Sequence, residues 1–190
     1  MMADTLSMAN KICGIETVPP TKLGAGLRKA VFFDRDGTLN KEVNYLYKIE
    51  DFVWQPGAVE AVKFCNEQGY LAIVITNQSG VARGMYGEED IQVLYDWMNE
   101  DLAKYGAHLD AIYYCPHHPE GKVLAYRCDC SCRKPKPGMI EYACRRYDID
   151  KANSLMVGDG ARDVESAQAA GVKGVLYTGG NLCNLLRQSI

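Results

Sequence analysis

Five short apolar runs alternate along this chain with four stretches of helical character, and that rhythm restricts the possible folds more than any other feature. The runs are "AVFF" from Ala30, "YLAIVIT" over residues 70–76, "AIYYC" over 111–115, "SLMVGD" over 154–159 and "KGVLYT" from Lys173. Between them lie "GAVEAVKFCNEQ", "GEEDIQVLYDWMNEDLAKYG", a segment beginning near Pro137 and another from about Arg162 to Ala170. In the second of these, Ile91, Leu94, Tyr95, Met98 and Leu102 fall on one helical face. Strands this continuously apolar need cover on both faces, and helical crossovers between them make neighbouring strands parallel. The expected fold is α/β: a doubly wound, mostly parallel sheet with no large cap domain and an inserted cysteine-rich loop.

The length of 190 residues suits one such domain, expected over 29–190. Residues 1–28 contain "PPTKLGAG" and no sustained period, so they are expected to form an irregular leader. A formal charge of −3 gives no basic footprint for nucleic acid. No apolar run approaches a membrane span, and the N-terminus shows no signal-cleavage pattern, so a cytoplasmic protein is expected. Without a coiled-coil period, a monomer is the expected state.

Parallel sheets bind ligands beyond the carboxyl ends of their strands. There "AVFF" ends in Asp34 and Asp36, "AIVI" in Thr76, and "SLMV" in Asp159, so three strand ends deliver polar groups to one rim. Clustered carboxylates repel one another unless a cation intervenes. A hard divalent ion such as Mg²⁺ suits Asp34, the main chain near Asp36, and Asp159. Asp34 could attack phosphorus, and Asp36 could protonate the leaving alcohol and then deprotonate water. Thr76 and Lys134 could stabilise the phosphoryl oxygens. An isolated "DRD" is more often a solvated turn; the ordered combination with other loops changes that balance.

Four of the eight cysteines, Cys115, Cys128, Cys130 and Cys132, crowd into "CPHHPEGKVLAYRCDCSCRKP" beside His117 and His118. Such clustering favours a metal over a disulfide framework. Three sulfurs and one imidazole suit a closed, structural Zn²⁺ site, with six candidates for four places. The metal would clamp a loop at about 115–134 that has little apolar content of its own.

The segments "DRDGT", "TNQSG", "RKPKPG" and "VGDGARD", in that order, resemble the four motifs of the haloacid dehalogenase (HAD) superfamily of phosphatases. The resemblance implies Asp34 as nucleophile, Asp36 as general acid/base, Thr76 and Lys134 as phosphoryl stabilisers, and Asp34, Asp36 and Asp159 as Mg²⁺ contacts. Asp163 is either an orienter of metal waters or a helix N-terminal charge. Finer motifs, "YYCPHHPEG", "CRKPKPGM", "TNQSGVARG" and "WMNEDL", look like the heptose-1,7-bisphosphate 7-phosphatase family. That family's frame of C-x-H and C-x-C before Arg-Lys-Pro selects Cys115, His117, Cys130 and Cys132 for zinc, leaving Cys128 and His118 as extras.

The same resemblance implies substrate contacts at Arg35, at Glu42, Val43, Asn44 and Tyr45, at Thr76, Asn77, Gln78 and Ser79, and at Arg133 and Lys134. One departure stands out: a lysine common after the last motif's aspartate is Gly160 here, for which Arg162 could compensate. The expected reaction is Mg²⁺-dependent removal of a 7-phosphate from a small sugar bisphosphate in activated-heptose synthesis. A histidinol-phosphate phosphatase is the competing enzyme reading. A non-catalytic, zinc-organised sugar-phosphate-binding protein is the reading from another class, and it predicts that some catalytic group is missing.

Overall fold

The structure is a computed structural model and describes residues 13–16 and 26–190. Six strands form one sheet among the described residues, in the spatial order β1-β4-β3-β2-β5-β6. They are β1 (Cys13–Glu16), β2 (Ala30–Phe33), β3 (Leu71–Asn77), β4 (Ala111–Cys115), β5 (Leu155–Gly158) and β6 (Lys173–Leu176). Every pairing is parallel except β1 with β4. The expected α/β architecture is thus the one observed.

Side chains alternate between the two faces, as the period of a strand requires. Val31, Phe33, Ala72, Val74, Leu155 and Val157 enter one core. That core is closed by α1 (Ala58–Glu67), with the short α2 (Gly80–Arg83) beside it, and by α3 (Glu88–Ala103). Ala30, Phe32, Ile73, Ile75 and Met156 enter the opposite core with α4 (Gly138–Arg146) and α5 (Ala161–Ala170). The apolar face expected of α3, Ile91 to Leu102, is buried.

Besides the short α2, a C-terminal helix and an edge strand lie outside the expected rhythm. A C-terminal helix, α6 (Leu182–Ser189), buries Leu182, Cys183 and Leu186 in the first core, and Arg187 lies over the Phe64 ring of α1 at 4.4 Å. The irregular leader is corrected at β1, whose Cys13 faces Tyr114 and whose Glu16 faces Ala111. An edge strand needs only one hydrogen-bonded neighbour and no long apolar run, so its sequence carried no strand signal. The rest of that leader, 1–12 and 17–25, lies outside the described residues. Among the described residues no helix is long and apolar enough to cross a membrane.

Candidate active site

The carboxyl ends of β2, β3 and β5 converge as expected. Asp34 continues β2, its N–H donating to the Val157 carbonyl at 2.9 Å, and its carboxylate is buried. Lys134, itself buried, places Nζ 2.7 Å from Asp34 Oδ1 and 2.6 Å from Asp163 Oδ1, and donates to the Ile75 carbonyl at 2.8 Å. Of the ammonium's three N–H groups, one donates to the Ile75 carbonyl, and the charge is shared between the two carboxylates as ion pairs. Lys134 therefore fixes the nucleophile's orientation in addition to supplying charge.

The lysine's own backbone is held by Asn77. Its N–H donates to Asn77 Oδ1 at 3.0 Å, and its carbonyl accepts from Asn77 Nδ2 at 3.1 Å. That reciprocal pair ties the lysine's loop to the end of β3.

Asp163, ambiguous in the sequence, is fully buried and belongs to the site. Its second oxygen accepts from the Gly160 N–H at 3.0 Å, at the start of α5. Ligand atoms of Asp34, Asp159 and Asp163 all lie within 4.8 Å of one another. Burial pushes Asp34 up to about 6, against the pull of Lys134 and with a further push from Asp163. Asp159 is raised by burial and then by Asp163. Three carboxylates against one ammonium leave an excess of negative charge, which a hard divalent cation would relieve.

Gly37 makes this convergence possible. Its φ of 85° lies in the left-handed region, and a Cβ there would overlap the Asp159 carboxylate. Gly37→Ala is expected to weaken Mg²⁺ binding at least tenfold in a titration while lowering the melting temperature, since it strains the turn and displaces Asp159. Unchanged Mg²⁺ affinity would show that the turn adapts without moving that carboxylate.

Asp36 points elsewhere. Arg35 grips it through Nε at 3.1 Å and NH2 at 2.9 and 3.0 Å, Gln78 Nε2 donates to it at 2.9 Å, and Asn40 Nδ2 at 3.2 Å. Its side chain is therefore no part of the acidic cluster, which is consistent with a contact through the main chain near Asp36 and not through its carboxylate; the third side chain of the cluster is Asp163. Arg35 is corrected as well. Its side chain, 2% exposed, is enclosed by Asp36, the Leu46 carbonyl and Gln78, and is not available to a substrate.

An open cleft of about 300 Å³ adjoins Asp36. Of the expected contacts, Glu42, Asn44, Tyr45, Asn77, Gln78 and Ser79 line it, joined by Tyr86 and Arg162. Burial raises Glu42, with Asp36 and Asp159 adding to the shift. Val43 is not among the lining residues; its side chain is exposed instead. Arg133 is absent from the lining too, because its guanidinium turns to the His117 carbonyl at 3.3 Å. Tyr45 carries φ 58°, an unusual conformation for a non-glycine residue, and its ring lies 5.9 Å from the Arg83 guanidinium carbon. Tyr86 was not anticipated: a lone aromatic in "GMYG" has no motif to mark it.

The cysteine segment folds around a second cluster. Cys115, His117, Cys130 and Cys132 are all buried, with one ligand atom of each within 4.8 Å of the others. The Cys130 sulfur lies 3.4 Å from Cys115 and 3.1 Å from Cys132, while His117 Nδ1 lies 3.8 and 3.5 Å from the Cys115 and Cys132 sulfurs. Tetrahedral Zn²⁺ with bonds of about 2.3 Å to sulfur and 2.0 Å to nitrogen sets ligand separations of roughly 3.5–3.8 Å, close to these values.

Hydrogen bonds from its neighbours' sulfurs draw the Cys130 thiol down, and contacts within the trio push Cys115 up to about 12 and Cys132 further. A cation bound among these ligands would take the place of thiol protons. Cys128 stands partly exposed outside the set, and His118 pairs with Arg83 at 3.2 Å.

Three comparisons agree with this geometry. The HAD-hydrolase-like family model matches residues 131–185. A D-glycero-beta-D-manno-heptose-1,7-bisphosphate 7-phosphatase of Haemophilus ducreyi is 49% identical over 147 residues, covering 77% of this chain and 80% of its own. A D-glycero-alpha-D-manno-heptose-1,7-bisphosphate 7-phosphatase of Photorhabdus laumondii is 47% identical over 144 residues, covering 76% and 79%. A D,D-heptose 1,7-bisphosphate phosphatase from B. bronchiseptica, solved with magnesium and phosphate, is 35% identical, covers 84% of this chain and 86% of its own, and superposes with a TM-score of 0.71.

Proposed function

Because this chain belongs to the heptose-1,7-bisphosphate 7-phosphatase family of HAD-like hydrolases, we propose that it removes the 7-phosphate of D-glycero-D-manno-heptose 1,7-bisphosphate through an aspartyl phosphate on Asp34. The observation that carries this reading is the buried Asp34 carboxylate, held by Lys134 at the end of β2, with Asp36 two residues on facing the cleft.

An Asp34 oxygen attacks the phosphorus of the 7-phosphate in line, and the bond from phosphorus to the sugar oxygen breaks. Asp36 delivers a proton to that oxygen and so releases the alcohol. The deprotonated Asp36 then takes a proton from water, whose oxygen attacks the aspartyl phosphate and frees inorganic phosphate and Asp34. Thr76 donates its hydroxyl hydrogen to a phosphoryl oxygen. Lys134 keeps Asp34 oriented and offsets its charge.

Asp34, Asp159 and the main chain beside Asp36 would hold Mg²⁺, with Asp163 behind them; bound there, the ion neutralises the gathering phosphate and carboxylate charge. Cys115, His117, Cys130 and Cys132 would hold Zn²⁺ as a closed structural site. Arg162 supplies at the cleft the positive charge that a lysine at 160 would carry, and Glu42, Asn44 and Tyr45 contact the sugar. The reaction belongs to the synthesis of activated heptose for surface glycans, a cytoplasmic step carried out by a monomer.

The test is phosphate release with Mg²⁺ from both anomers of heptose 1,7-bisphosphate, beside histidinol phosphate. Preferential release of the 7-phosphate from a heptose anomer is expected. Faster turnover of histidinol phosphate would move the protein to the competing reading. Absence of turnover with any of the three would return it to the class of binding proteins.

A further inference from the structure

Gln78 was expected to touch the substrate, yet its amide is fully engaged inside the protein. Its Oε1 accepts from the Tyr86 phenol at 2.5 Å and from Arg35 NH2 at 3.3 Å, while its Nε2 donates to Asp36 Oδ2 and to Thr76 Oγ1, both at 2.9 Å. The side chain is buried. This arrangement leaves one orientation for the amide, because turning it over would set its oxygen against the Asp36 carboxylate and its N–H groups against a guanidinium that can only donate. Tyr86 completes the fixing. Its ring stacks on Tyr47 with centroids 5.4 Å apart and packs so closely on Gly80 that a Cβ there would overlap it.

We propose that Tyr86 is a positioning residue that acts through Gln78 to orient Asp36 and Thr76 together, an inference that rests on the catalytic roles given above to those two residues. A hydroxyl carries a single hydrogen. With an Oγ1 lone pair of Thr76 occupied by the Gln78 N–H, that hydrogen is left to point at a phosphoryl oxygen. The second N–H holds one oxygen of Asp36 beside the Arg35 guanidinium, which leaves the carboxylate's direction of approach to the leaving oxygen defined. One amide thereby sets the direction of a hydrogen-bond donor and of a proton carrier, and the phenol at the cleft wall keeps that amide from turning.

Tyr86→Phe retains the stacked ring and removes only the phenolic hydrogen bond. It is expected to lower kcat for heptose 1,7-bisphosphate about tenfold with KM within twofold and an unchanged melting temperature. The loss with 4-nitrophenyl phosphate should be smaller, because nitrophenolate leaves with little help from Asp36. In a Gln78→Met background, which keeps the volume and removes the amide, Tyr86→Phe should cost nothing further.

A raised KM with unchanged kcat would make Tyr86 a substrate contact and overturn the proposal, as would full additivity of the two substitutions or equal losses on both esters. Wild-type hydrolysis of 4-nitrophenyl phosphate without hydrolysis of the heptose ester would sink the substrate assignment alone. The relay would then still be judged by additivity on the nitrophenyl ester.

Discussion

Asp34→Asn abolishes phosphate release and leaves the melting temperature at pH 7 unchanged or higher: that pair of results is expected together, and its two halves have separate causes. An amide cannot form the acyl phosphate, and loss of a covalent nucleophile costs on the order of 10⁵-fold in turnover. The stability half follows from linkage. Burial raises Asp34 to about 6 from an ordinary 3.8, so in the absence of metal the folded state binds the proton more tightly than the unfolded chain does.

A carboxyl raised in the fold favours folding fully below the unfolded value, and that contribution is lost as pH climbs from about 4 through about 6. At pH 7 the metal-free wild type therefore carries an ionised, disfavoured carboxylate that asparagine lacks. The gain should vanish in melts at pH 3.5 and should shrink when Mg²⁺ is added to the wild type. A melting temperature that falls at pH 7 would mean that the Lys134–Asp34 ion pair outweighs the burial penalty. Residual turnover within a hundredfold of wild type would remove Asp34 as nucleophile.

Stripping the metal from the Cys/His cluster is expected to have the second large effect, lowering the melting temperature by more than about 10 °C and kcat on the order of a hundredfold. The loop after β4 has little core to hold it: Leu124 is 76% exposed. Apart from the cluster, its ties to the rest of the protein include hydrogen bonds such as Tyr126 to Glu88 at 2.7 Å and Val123 N–H to the Ala82 carbonyl at 2.9 Å. Such a segment cannot offset its ordering entropy by apolar burial.

The catalytic loss arises because Lys134 follows Cys132 by two residues and must reach both Asp34 and Asp163. Chelation followed by elemental analysis, a melt and a rate measurement checks this, with re-addition of Zn²⁺ expected to restore both. Cys132→Ala should behave like the stripped protein, whereas Cys128→Ala should resemble wild type. A verified metal-free protein with an unaltered melting curve would contradict the clamp.

The interior of the sheet was legible in the sequence because β2, β3, β4 and β5 are buried on both faces and therefore read as unbroken apolar runs. The zinc-type set was legible because its spacing is dense, although spacing alone could not choose between Cys128 and Cys130; in the structure Cys130 is buried against the other sulfurs and Cys128 is not. What stayed hidden is what long-range pairing decides. A charged residue inside a catalytic motif reads as a substrate contact, yet Arg35 is buried by a carbonyl at Leu46 and an amide at Gln78, both distant in the chain. The sequence left Asp163 open between an orienter of metal waters and a helix-start charge, and only the fold, by setting Lys134 against it, decides. Tyr86 has no local signature, since its role depends on an amide that the end of β3 presents.

The antiparallel strand β1 has a consequence for the order in which the domain closes. A ribosome delivers Cys13–Glu16 before the other described strands, but the backbone edge that receives it belongs to Ala111–Cys115, which is made only after β2 and β3. Until β4 has emerged and docked on β3, that first-made strand has no partner in the sheet. On this side of the sheet, therefore, the first of the described strands to be synthesised stays without its sheet partner until three others have been made.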